Sequence, residues 1–108
     1  MNIEQASQLA KEVRDLYETL ELQRHGRSWT TEEIALGFVG DVGDLAKLVL
    51  AHEGVRSIED VQEKLGHELS DCLWSILVLA DRCGIDLERE FSKTMTELKA
   101  SVSSKLST

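Results

Sequence analysis

Proline is absent from the 108 residues, aromatic side chains make up only 5%, and cations are scarce beside anions, with 12 Lys and Arg against 20 Asp and Glu. The lack of proline leaves no ring to break a helix from within. The scarcity of aromatics removes much of what stabilises sheets, whereas Leu, Glu, Lys and Ala are good helix formers. A formal net charge of −8 argues against binding DNA or RNA, which takes a basic surface. Long apolar runs are missing too. The longest, Cys72–Ala80, is interrupted by Ser75 and falls well short of the roughly 20 residues that cross a bilayer, so no membrane partner is expected. The start, Met1-Asn2-Ile3-Glu4-Gln5, shows no charged-then-apolar leader. The two cysteines, Cys72 and Cys83, would lie on one helix about 16 Å apart, too far to bridge. A reduced, cytoplasmic protein is the expectation.

What remains is a helical pattern in one domain, residues 1–108. Ile3, Ala6, Leu9, Ala10, Val13, Leu16, Tyr17 and Leu20 recur at helical steps, predicting an amphipathic helix over about 3–22. The loop Arg24-His25-Gly26-Arg27-Ser28-Trp29 follows. Thr30 and Glu33 form a capping box for a second helix running to about His52. It is apolar on most faces, and Gly37, Gly40 and Gly43 within it point to close helix packing or to room for a ligand. A third helix is expected from Ser57, with Asp60 completing its cap, to Gly84. A fourth opens at Asp86 and carries the stripe Leu87, Phe91, Met95, Leu98 and Val102, with residues 103–108 frayed. Short connections between four helices predict an up-down four-helix bundle. A central helix apolar on several faces in so small a chain leads to the expectation of an oligomer, a dimer or dimer of dimers.

Two acidic pairs stand out. Asp41 and Asp44, in Gly40-Asp41-Val42-Gly43-Asp44-Leu45, and Glu68 and Asp71, in His67-Glu68-Leu69-Ser70-Asp71, are each spaced i, i+3. Residues so spaced share a helix face, about 5–6 Å apart at the β-carbons. If the two helices pack antiparallel, all four carboxylates converge. Such a cluster must protonate or hold a hard divalent cation. All-oxygen donors indicate Mg²⁺ or Mn²⁺. A di-iron bundle is excluded, because none of His25, His52 and His67 sits in Glu-x-x-His. The alternative is a set of solvated acids neutralised by Lys47 and Lys64 at one-turn spacing. His67 is either a partner of this cluster or a surface histidine. Trp29 with Arg24, His25 and Arg27 reads as a nucleotide clamp, aromatic for the base and basic for phosphate, or else as a staple that fastens the loop.

These motifs resemble the MazG-like all-α nucleoside triphosphate pyrophosphohydrolases, whose pattern is Glu-Glu-x-x-Glu followed by Glu-x-x-Asp. The correspondence covers roughly residues 30–95: Gly40, Asp41 and Asp44, then, after roughly two dozen residues, Glu68 and Asp71, followed by the run Leu73–Ala80 and Asp81–Leu87. Gly40 stands where the family has its first acid, and two aspartates replace glutamates. The resemblance implies Mg²⁺ held by Asp41, Asp44, Glu68 and Asp71, with Asp44 or Glu68 activating water. It also implies a (deoxy)nucleoside triphosphate substrate cut to monophosphate and pyrophosphate as house-cleaning of non-canonical or surplus nucleotides, in a homodimer or homotetramer. An aromatic before the acidic helix, here Trp29, and a lysine on the last helix, here Lys93, belong to the same pattern. The asparagine and arginine that usually follow that lysine read Glu97 and Ala100. The alternative function is a catalytically weak or inactive nucleotide- or metal-binding oligomer with a regulatory role.

Overall fold

Three of the four helices begin on a side chain that takes up the free backbone donors of a first turn. Asn2 accepts from Gln5 N–H at 2.8 Å, Thr30 from Glu33 N–H at 3.2 Å and Asp86 from Arg89 N–H at 3.1 Å. In the first two the third residue reaches back, completing a capping box. The computed structural model describes residues 1–107 as helices α1 (Ile3–His25), α2 (Thr31–His52), α3 (Val61–Arg82) and α4 (Leu87–Leu106), with no strand among the described residues. The all-helical expectation of four helices is met, and no helix is long and apolar enough to cross a membrane.

Several boundaries differ from expectation. α1 runs one turn further than its apolar stripe, so Arg24 and His25 lie in its last turn, and Gly26 at φ 74° ends it. α3 starts at Val61 rather than Ser57. Its N-cap, Asp60, sits in the left-handed region at φ 52° and makes no side-chain cap, so no capping box forms there. α4 continues helically through Ser103–Leu106 rather than fraying; Thr108 lies outside the described residues.

α2 and α3 pack antiparallel, bringing Thr31 beside Arg82 at one end and Asp44 beside Glu68 near the middle. α1 packs chiefly against α3 and also meets α4. The Trp74 indole N–H donates to the Ala10 carbonyl at 3.2 Å, and its ring meets Tyr17 at 5.8 Å between centroids. Ala10, Ile34, Leu77 and Val78 form the small buried core, with Ile3, Ala6, Trp74, Leu79 and Leu87 against it.

α4 does not close a four-helix bundle. Leu87 and Glu88 are half-buried, but every described residue from Arg89 onward is exposed. The protomer is accordingly elongated, 60 × 39 × 26 Å with a radius of gyration of 17.4 Å, against about 13 Å for a compact chain of 100 residues. The stripe Phe91, Met95, Leu98 and Val102 stands in water, as do Leu36 and Val39 of α2 and Leu69, Leu73 and Ile76 of α3. The helix pattern therefore presents more apolar surface than one protomer buries.

The caps give a direct test. Thr30→Ala removes an acceptor from the start of α2 and should lower stability by about 1 kcal/mol, a fall in Tm of ~4–8 °C for a domain near this size. Ser57→Ala, at the expected but unformed cap, should leave the thermal midpoint unchanged.

Candidate metal centre and adjoining cavity

The antiparallel register of α2 and α3 turns two i, i+3 pairs into one cluster. Asp41, Asp44 and Glu68 each present an oxygen within 4.8 Å of the others. An octahedral Mg²⁺ with bonds of about 2.0–2.1 Å sets its oxygen ligands roughly 3–4 Å apart, so small side-chain rotations would close this triad on one ion. Glu68 Oε1 is buried without a hydrogen-bond partner, the condition a buried carboxylate oxygen avoids unless something coordinates or protonates it. Asp71 lies alongside, but its Oδ2 meets His67 Nε2 at 3.3 Å, across one helical turn. His67 is therefore the partner of Asp71 and is itself largely exposed. The structure brings three of the four expected carboxylates together and leaves the fourth within electrostatic range.

The electrostatics follow from crowding. Partial burial, then the charges of Asp71 and Asp44, pushes the Asp41 carboxyl above its ordinary value. Burial followed by Asp41, Asp71 and Asp44 does the same for Glu68. The Cys72 thiol, buried one turn beyond Glu68, is also raised by burial and by these carboxylates. Neither Lys47 nor Lys64 forms an ion pair with any member of the cluster, so the lysine-neutralised alternative is not the arrangement adopted.

Gly40 and Gly43 have open space where a β-carbon would stand. Close helix packing is thus not their reason for being in α2. Gly37 differs: a β-carbon there would touch the Trp29 ring at 3.9 Å.

A cavity of about 560 Å³ opens beside the cluster, lined by Asp41 and Asp71 at the acidic end, by Tyr17, Trp29 and Trp74 as aromatic walls, and by Arg14 and Glu21 from α1. Trp29 is held there by its backbone: its N–H donates to Glu21 Oε1 at 2.9 Å and its carbonyl accepts from Arg82 at 3.1 Å. The other expected nucleotide contacts lie elsewhere. Arg27 is clasped by both oxygens of Glu33 at 2.7 and 2.9 Å, which with the Thr30 N–H holds the Glu33 carboxyl down at about 2; in this protomer it braces the cap of α2. His25 and Lys93 are exposed, on the last turn of α1 and on α4, and line no part of the cavity. Arg14 and Glu21 escaped the sequence reading. Their signal was present: with Ala10 and Tyr17 they fall on one stripe of α1 at steps of four, three and four, a charged pair set in the buried face.

These shifts give a pH dependence. Asp41 and Glu68 bind protons more readily folded than unfolded, so their charges destabilise the metal-free protein at neutral pH, and that penalty is relieved as pH falls. Glu33, and Glu21, where hydrogen bonds from Arg14 and Trp29 outweigh burial, act oppositely: their stabilisation is present above their ordinary value near 4.5 and is lost as pH drops through their folded values. Metal-free protein should therefore gain Tm from pH 7 to about pH 5 and lose it below about pH 4. Glu68→Gln should raise the Tm at pH 7 and flatten the gain, as read by circular-dichroism melts.

No protein-family model, curated protein or solved structure matches the chain; the likeness to the MazG-like pyrophosphohydrolases rests on the residues of the two acidic stretches and their surroundings.

Proposed function

We propose that the protein is a Mg²⁺-dependent nucleoside triphosphate pyrophosphohydrolase, adding water across the bond between the α- and β-phosphates to give a monophosphate and pyrophosphate. The observation that carries this reading is the Asp41–Asp44–Glu68 triad, whose Asp41 also lines an aromatic-walled cavity of nucleotide-accommodating size. Mg²⁺, or Mn²⁺, held by these carboxylates would supply the positive charge that phosphoryl transfer needs. The described residues themselves offer little: Arg14 is the only Lys or Arg among them that lines the cavity. Asp71, fixed by His67, would complete the donor set. Glu68, with its raised affinity for protons, is suited to orient the attacking water and take its proton, and Asp44 is the other carboxylate placed for that work. Trp29 and Trp74 would cover the faces of the base.

Two features favour the regulatory alternative: Gly40 takes the place of an acid, and Lys93 stands away from the cavity in the protomer. Pyrophosphate release separates the two. With Mg²⁺ or Mn²⁺ and a panel of canonical and damaged nucleoside triphosphates, wild type should turn over at least one substrate. Glu68→Gln and Asp71→Asn should each lower the rate by a hundredfold or more, roughly the weight of a general base or a ligand to the metal. A silent panel, with Mg²⁺ still raising the Tm of wild type alone, would sink the enzyme and leave the binding oligomer.

The exposed stripes of α2, α3 and α4 support a homodimer or homotetramer, since a second copy would cover what one protomer leaves in water. Light scattering should return two or four times the protomer mass of 12.1 kDa, and Phe91→Asp with Leu98→Asp should reduce it. A monomeric wild type would refute the assembly.

A further inference from the structure

The α1 wall of the cavity holds a feature that neither metal binding nor phosphate chemistry uses. Arg14 is buried at 6% exposure and pairs through Nη2 with Glu21 Oε1 at 2.5 Å. A guanidinium has five N–H donors, and this is the one that the fold engages. Nε is buried with no partner at all. Glu21 in turn spends Oε1 on both Arg14 and the Trp29 N–H, while Oε2 enters no hydrogen bond or ion pair among the described residues. A buried guanidinium nitrogen left without an acceptor is costly unless something polar seats against it. If tethering Trp29 were the whole role, a neutral acceptor would serve.

The geometry points to a function: we propose that Arg14 and Glu21 together read the edge of a nucleobase, Arg14 donating to a ring nitrogen or carbonyl oxygen and Glu21 Oε2 accepting from an adjacent N–H. This rests on the nucleotide reading above and adds to it which groups recognise the base. Three observations converge. The pair lines the same cavity as Trp29 and Trp74 and flanks Tyr17 on α1, so a base held there has a donor and an acceptor within one stretch of the wall and aromatic surface beside them. Arg14 and Glu21 lower each other's need for solvent while offering donor and acceptor side by side, the complement of the amide-like and amidine-like edges of nucleobases. The cavity lining on α2 extends from Ile34 to Asp41, about 10 Å along the helix axis, comparable with the reach of a nucleoside from base edge to its 5′ oxygen. That places a phosphate chain at Asp41 and Asp71 when the base sits at Arg14 and Glu21. Glu21 titrates below the usual carboxylate range, because hydrogen bonds from Arg14 and Trp29 overcome its burial, so it is an acceptor only at neutral pH.

Phosphate-free nucleosides isolate this recognition from the metal centre. Uridine, cytidine, adenosine and guanosine would be titrated against tryptophan fluorescence, each beside an analogue methylated on its edge N–H groups (3-methyluridine, N4,N4-dimethylcytidine, N6,N6-dimethyladenosine, 1,N2,N2-trimethylguanosine). At least one nucleoside should bind wild type with or without Mg²⁺, and its methylated analogue should bind ten- to a hundredfold more weakly, the loss expected when a buried charged acceptor is left unpaired. Glu21→Gln keeps an acceptor for Trp29 but can also donate, and should shrink that discrimination to threefold or less. Arg14→Lys keeps the charge and loses the planar fork, and should weaken the unmodified nucleoside about tenfold. Melting curves would confirm that each variant is folded; if one is not, the other decides. Equal binding of nucleoside and methylated analogue by wild type would overturn the edge-reading role and leave the nucleotide reading standing. Hydrolysis of triphosphates without any nucleoside binding would overturn the placement of the base. Absence of both would overturn both.

Discussion

Like charges held close together are the constraint on which this molecule turns. Asp41, Asp44 and Glu68 converge because α2 and α3 run antiparallel in one register, and Asp71 adds its field from one turn away. Their compensation is slight: His67 meets Asp71, neither Lys47 nor Lys64 pairs with the cluster, and Glu68 Oε1 has no hydrogen-bond donor. Asp44 is exposed, but Asp41 and Glu68 are half-buried, and partly drying charges that repel one another is costly. The rest of the chain must therefore hold these helices in place against their own repulsion, which the braced cap of α2, the Arg82 contacts at the α2–α3 end and the Trp74–Ala10 hydrogen bond all help to do.

The cavity carries three kinds of lining: the acids Asp41 and Asp71, the internally balanced pair Arg14 and Glu21, and the aromatic rings of Tyr17, Trp29 and Trp74. An occupant that is anionic where it meets a metal ion, flat and apolar on its faces, and polar but uncharged at one edge would satisfy all three at once. Nucleotides have that chemistry. A purely apolar ligand would leave the acids and the pair unmet, and an inorganic phosphate would use only one kind.

How much of this could be read without coordinates varied with the range of the interaction. The helices and the acid pairs were legible, because capping at Thr30 and Asp86 and spacing within α2 and α3 are local properties. The start of α3 was not: Ser57 and Asp60 have the composition of a capping box, yet Asp60 takes a left-handed conformation and the helix begins after it. The role of Arg27 was also opaque, since a basic residue near an expected phosphate site and a basic residue locked to Glu33 look alike in a linear chain. Arg14 and Glu21 were overlooked for the opposite reason. Sorted by type they are surface residues, and only their phase on the α1 stripe, shared with Ala10 and Tyr17, marks them as inward-facing.

The fourth helix shows where local signals stop being sufficient. Its stripe of Phe91, Met95, Leu98 and Val102 is as regular as that of any core helix, yet in the protomer it faces water from Arg89 on. Periodicity reports that a helix has a face to bury, not against which chain it buries it. The same ambiguity applies to Leu36 and Val39 beside Leu69, Leu73 and Ile76, which lie on the two helices that carry the acids. A protomer with a buried core this small has little stability in reserve to hold repelling carboxylates together. Covering those stripes would stiffen α2 and α3 from the outside while a cation relieved them from within. Assembly and metal binding would then act on the same two helices and favour each other, with no contact between the two surfaces required.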